Sequence, residues 1–237
     1  VRSSAASDVY KRQALSLASC ESWLDEDPQY TINTKTQFST VENAKQALMG
    51  CYGYMSADNA YGQAWQEVTF GYCGFGWSQT NGSSTDLLVS MDGGIDETIN
   101  TMAWRGMYKV IGETNAFIAN IADSPLESAD KLPMEAAARF LRALAYYNLA
   151  VTYGDVPLKT TPSAHDGVAV PRSPKNEVFE LVRTDWEFAY ENLPEKDDDG
   201  FATKWAAKAY LGKLYHTLGC QGAVSYTHLR AHETLSD

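Results

Sequence analysis

The chain is poor in the residues and patterns that mark catalysis, metal binding or contact with nucleic acid. It has no G-x-S-x-G elbow, no phosphate-cradling glycine loop and no H-E-x-x-H pair. Its four cysteines, Cys20, Cys51, Cys73 and Cys220, form no C-x-x-C unit and no Cys/His spacing suited to zinc. A Cys51–Cys73 disulfide is conceivable, but nothing in the spacing supports it. Positive charge is scarce: 19 Lys and Arg stand against 30 Asp and Glu, for a net charge of −11. Nucleic-acid affinity comes from cations neutralising phosphates, and adhesion to anionic membranes needs a basic face. Neither fits this balance. No apolar run reaches the length of a membrane-spanning helix.

The chain is rich in amphipathic aromatics, with 14 Tyr and 6 Trp among 237 residues. Such rings either pack with a hydrogen-bonded tip or stand exposed as platforms for a ligand. At 44% hydrophobic residues, the length suits one large domain or two small ones. The two ends fit neither. Residues 1–13, VRSSAASDVYKRQ, and residues 223–237, AVSYTHLRAHETLSD, resemble translated sequencing-adaptor read-through. They are set aside from fold reasoning, which leaves His165 and His216 as the histidines of interest.

The remainder reads as helices. Ser39 and Glu42 form a capping-box pattern before Ala44, Leu48, Cys51, Tyr52 and Met55 at helical spacing, ending near Ser56. A short helix is expected over Trp65–Phe70. Four further helices follow. The first, Thr101–Ala122, carries the stripe Trp104, Met107, Tyr108, Ile111, Ile118 and Ile121. The second starts at Pro133 and ends at Tyr153, where Gly154 terminates it and Pro157 prevents its resumption. The third begins after Ser173-Pro174 and ends before Pro194. The fourth is capped by Thr203 and closes at Gly219. Their starts are spaced as in degenerate tetratricopeptide-like repeats, with Ala206, Ala207 and Tyr210 permitting close helix approach. The fold class expected is mainly α, a helical-repeat core carrying a long loop. Phe140, Leu141, Leu144, Trp186, Leu211 and Leu214 are expected to share one core.

That loop, from Gly71 to Glu97, is dense in Gly and Ser and has no sustained period. Loops of this size in compact domains usually carry function. Trp77, followed by Gln79, Asn81 and Asp86, combines a flat ring with amide and carboxylate side chains. That is the chemistry needed to cover the apolar face of a sugar and bond its hydroxyl rim. The alternative is that these aromatics plug the core and hold the loop down, which is the preferred reading for Trp65 and Tyr72. The adjacent carboxylates Asp96-Glu97 are unsuited to paired acid–base work on a glycoside, and Asp197-Asp198-Asp199-Gly200 lacks the ligand spacing of an EF-hand. Both read as solvated turns or caps. Arg139 and Arg142 are read as a buried tie to Asp155 in the turn after their helix. No cofactor, metal site or catalytic group is expected.

The stretch Ala136–Leu158, AAARFLRALAYYNLAVTYGDVPL, is more specific than its physics requires. A helix of the form A-x-x-R-F-L-R-A-x-x-Y leading into Y-G-D-V-P-L resembles the SusD/RagB family of surface glycan-binding lipoproteins. Leu17-Ala18-Ser19-Cys20 resembles a lipobox, and Cys20, Leu24, Asp25 and Pro28 resemble the tether that follows it. The resemblance implies that residues 14–19 are a signal-peptide remnant, 20–38 a tether from a lipidated Cys20, and 39–222 a truncated N-terminal helical-repeat domain. It further implies a lipid-anchored protein on the outer face of the outer membrane, holding an oligosaccharide or polysaccharide in part through this loop region, where Trp77, Asn81 and Asp86 are the candidate residues. Such a protein delivers its cargo to a SusC-type TonB-dependent transporter without covalent chemistry. The alternative is a helical-repeat scaffold for protein or peptide, with a glycosidase a distant third. An exposed Trp77 on a concave face favours sugar, buried aromatics beside an open helical groove favour a scaffold, and two facing carboxylates favour an enzyme.

Overall fold

In the computed structural model, the described residues are 37–71, 73, 90–91, 98–162, 170–197 and 199–220. They form six α-helices and one two-stranded ribbon. The helices are α1 Val41–Ser56, α2 Ala64–Gly71, α3 Thr98–Ala122, α4 Ser128–Tyr153, α5 Lys175–Asn192 and α6 Lys204–Cys220. β1 Val156–Pro157 pairs antiparallel with β2 Arg172–Ser173. Helices α3 to α6 pack in chain order, each against the next, while α1 lies across α3 and α4. This is the tetratricopeptide-like stacking expected from the sequence. None of these helices is long and apolar enough to cross a membrane.

Local chemistry sets the boundaries. The cap of α1 is Thr40, not Ser39: its Oγ1 accepts from the Asn43 amide at 3.3 Å. Glu42 therefore stands one position early for a capping box and instead faces the positive end of the helix from its first turn. Helix α3 begins at Thr98, three residues earlier than expected. Helix α4 begins at Ser128, so Pro133 lies inside it. The extra turn is held because the Glu127 carbonyl accepts from the amides of Asp130 and Lys131, each at 3.0 Å. The Lys131 ammonium also donates to the carbonyls of Ala122 and Ser124, covering acceptors left open where α3 ends.

The centre of the stack is α4, whose residues 136–138 and 140–150 are all buried. Phe140, Leu141, Leu144, Trp186, Leu211 and Leu214 lie in one core cluster, as expected. The Trp186 indole packs 5.5 Å from the Tyr147 ring and 5.2 Å from the Tyr210 ring, and its Nε1–H donates to the Phe140 carbonyl. Gly154 closes α4 with φ of +78°, a backbone that side chains other than glycine's rarely adopt, and its amide bonds to the Ala150 carbonyl at 3.1 Å.

Cys51 is a buried free thiol and Cys73 an exposed one, so they form no disulfide. In the acidic turn, Asp197 Oδ1 accepts from the amides of Asp199 and Phe201, while Asp199 pairs with Lys45. These carboxylates therefore brace the turn onto α1, where Tyr52 Oη accepts from the Ala202 amide.

Candidate ligand-binding scaffold

The four residues singled out by the sequence, Cys20, Trp77, Asn81 and Asp86, lie outside the described residues, as does Tyr72. The structure does define the two helices that flank the aromatic loop. Helix α2 leads into it and α3 resumes after it.

The turn that leads into the first of them is locked to the second at a point of backbone contact. A kinked turn, Asp58–Gly62, precedes α2 and places the Asn59 carbonyl against Gly106 of α3. A Cβ at Gly106 would stand 1.9 Å from that oxygen, so only glycine permits the approach. Asn148 of α4 donates to Tyr61 Oη at 2.6 Å, and the Tyr61 ring lies 6.5 Å from that of Trp65. Trp65 is 6% exposed and belongs to the core, in agreement with the plug reading. Phe70, at the end of α2, is 67% exposed and points away from that core. Burial raises the Tyr61 hydroxyl above its ordinary range, and the bond from Asn148 works against that rise.

A second knot lies deeper. Arg142 donates from Nε and Nη2 to the two carboxylate oxygens of Asp185, each at 2.8 Å, and from Nη1 to Asn115 Oδ1 at 2.8 Å. Asn115 in turn donates to the carbonyls of Lys159 and Thr161. One guanidinium thus joins α3, α4, α5 and the connection after α4. Arg139 is held by Glu135 and stacks 4.2 Å over the Phe188 ring. The sequence reading paired these arginines with Asp155, and the structure corrects it. Arg142 sits eleven residues before the end of α4, about 16 Å at 1.5 Å per residue, beyond the reach of its side chain. Asp155 instead accepts from the Lys175 amide at 2.9 Å and so anchors the start of α5.

The connection itself is clasped by tyrosines. Tyr108 Oη donates to the Pro157 carbonyl at 2.7 Å, while Tyr146 Oη donates to the Lys159 carbonyl and accepts from the Lys159 amide. Burial, with Tyr146 alongside, pushes the Tyr108 hydroxyl far above its usual range, fixing it as a donor. The motif Y-G-D-V-P-L thus encodes a helix stop, an anchor for the next helix and a clasped strand. Among the described residues no cluster of His, Cys, Asp and Glu is arranged to hold a metal ion. Sequence reasoning missed Gly106, Asn115 and Asp185. Only Gly106 carried a local signal, as a helix-weakening residue within an amphipathic stripe.

Comparison with known proteins gives a consistent picture. Residues 22–216 match the SusD-like family model described as starch-binding and associating with the outer membrane. A SusD-like protein, P25, of Formosa agariphila is 25% identical over 221 residues, covering 87% of this chain and 42% of the relative. The chain thus spans less than half the length of that relative. A SusD superfamily protein of Bacteroides thetaiotaomicron superposes with a TM-score of 0.68 at 24% identity, covering 76% of this chain and 43% of its own. A laminarin-binding SusD-like protein superposes with a TM-score of 0.64 at 25% identity, covering 78% and 42%.

Proposed function

Because the chain belongs to the SusD-like family of starch-binding proteins that associate with the outer membrane, we propose that it forms the N-terminal part of a cell-surface glycan-binding lipoprotein. It captures oligosaccharide or polysaccharide and hands it to a SusC-type TonB-dependent transporter. Cys20 carries the lipid anchor and residues 20–38 form the tether. Stable anchoring needs more than one acyl chain, which a lipidated N-terminal cysteine provides. The role is binding, without covalent chemistry. Trp77 stacks on a sugar ring while Asn81 and Asp86 bond its hydroxyls.

The observation that carries this reading is the rigid mounting of the loop stems. Pre-organising a loop lowers the entropy cost of binding, and the turn that leads into α2 meets α3 backbone to backbone at Gly106. A laminarin-binding relative of the same fold supports a soluble glucan as the first ligand to test. The test is calorimetric titration with laminarin and soluble starch, comparing the parent with Trp77→Ala. Binding should weaken at least tenfold, the loss of about 1.4 kcal/mol, which is within the range of a stacked ring. The melting temperature should stay unchanged. Unaltered binding, or a mutant that unfolds, makes Trp77 a structural plug.

Two observations favour the scaffold reading: Trp65 is buried, and a groove of about 400 Å³ lies open between α5 and α6.

A further inference from the structure

We propose that Asn148 is a positioning residue for the ligand site, acting through Tyr61. From the middle of the stack it fixes the tilt of α2, and so the direction in which the chain leaves for the aromatic loop. This rests on the glycan-binding role proposed for that loop.

Three observations carry it. First, α2 does not hold its own direction. It has eight residues, and isolated helices shorter than about 12–15 residues are marginal in water. Its buried positions, Ala64, Trp65, Val68 and Gly71, make one narrow stripe, and the helix packs on α3 and on the turn before it. Second, the seat at Gly106 is a single point. The Asn59 carbonyl against the Gly106 backbone fixes where the turn sits but leaves it free to rotate about that contact. Ala60 then departs from helical geometry, with φ of −122° and ψ of −121°, so the chain changes course between the seat and α2. A second fixed point is needed past the kink. Tyr61 supplies it through the 2.6 Å bond from Asn148 Nδ2, and its ring lies 6.5 Å from that of Trp65 in α2. Third, this bond reaches outside the segment. Gln63 bonds Glu67, Gln66 bonds the Tyr61 carbonyl and Thr69 bonds the Trp65 carbonyl, all locally. Asn148 lies 87 residues further along, buried in α4. The leverage is large: α2 is about 12 Å long, and a tilt of about 10° at its base carries its far end about 2 Å. A binding site tolerates about 0.5 Å.

The test is a double-variant cycle on the 237-residue chain, read by calorimetric titration with laminarin and by hydrogen exchange. Asn148→Leu and Tyr61→Phe each remove the bond and keep the shape. Each should weaken binding about threefold to tenfold, the range of one net hydrogen bond. The double variant should bind no worse than either single, because both break the same contact. Asn148→Asp can accept from Tyr61 Oη, or donate to it when protonated, and should bind as the parent does. Amides 64–71 should exchange faster in both single variants, while amides 140–150 are unchanged. Titrations well below each melting temperature leave a merely structural loss of stability without effect on binding. Trp77→Ala, measured in parallel, separates the outcomes. If it weakens binding while the Asn148 and Tyr61 variants bind as the parent, the positioning role is overturned and the loop keeps its role. Losses that multiply in the double variant, an Asn148→Asp as weak as Asn148→Leu, or unchanged exchange at 64–71 overturn the positioning role as well. A parent without affinity for laminarin, or unaltered binding in every variant, overturns both. Weakened Asn148 and Tyr61 variants beside an unaltered Trp77→Ala support the positioning role and move the ligand off Trp77.

Discussion

Replacing Asp185 by asparagine tests the central knot most directly. The carboxylate is fully buried and takes two 2.8 Å bonds from a guanidinium that is itself 5% exposed. Asparagine has nearly the same shape but removes the charge and turns an N–H₂ toward the guanidinium. Arg142 would keep Asn115 Oδ1 as a partner, yet its charge would lie buried without a counter-ion. Breaking a buried pair in this way costs about 3–5 kcal/mol, against a total stability of about 5–15 kcal/mol for an ordinary domain. Urea unfolding followed by tryptophan fluorescence reads the change, because Trp186 sits in the same core. The companion is the double variant Arg142→Met, Asp185→Leu. Removing both charges avoids the orphaned cation, so the double should cost less than Asp185→Asn alone. What remains is about 1–3 kcal/mol for the stranded Asn115 oxygen. A single variant within 1 kcal/mol of the parent, or a double worse than the single, would refute the view that one guanidinium holds three helices together.

Gly106→Ala should destabilise the chain by about 1–3 kcal/mol through overpacking, outweighing the gain of about 1 kcal/mol in helix propensity; thermal unfolding decides the sign. Burial pushes the hydroxyls of Tyr52 and Tyr215 up to about 12, with Glu187 adding to the second. An unfolded tyrosine ionises near 10, so the stabilisation is complete below pH 10 and is lost as pH rises toward 12. Urea stability should fall over that window by up to about 1.4 kcal/mol per pH unit for each such tyrosine. With a complete signal sequence restored, Cys20→Ser should move the protein from the membrane to the soluble fraction; equal partition of both forms would remove the lipid anchor from the model of function.

Helical periodicity made the fold readable, because each helix buries one stripe and the stripe is written locally. Leu144, Trp186 and Leu214 could be assigned to the core from spacing alone. The start of α4 could not, because the carbonyl of Glu127 and the side chain of Lys131 hold a turn that Pro133 argues against. The partner of Arg142 was illegible for a different reason. Asp185 lies 43 residues away, and no local pattern distinguishes it from its acidic neighbours on α5. Asp155 lies nearer in the sequence and carries the same carboxylate. The ligand residues proposed on the aromatic loop rest on composition, and the structure contributes the stems that carry them.

The clasp after α4 bears on where this scaffold can change. Tyr108, Tyr146 and Asn115 fix the chain as far as Thr161, and the pairing of Arg172 and Ser173 with the same strand fixes it again on return. Whatever lies between those two points leaves and rejoins a frame whose geometry is already determined. Lengthening a connection costs only about 0.6 kcal/mol per doubling when its ends are held. The stack should therefore tolerate a change in the length of the connection between Thr161 and Arg172, because both of its ends are held by bonds made outside it.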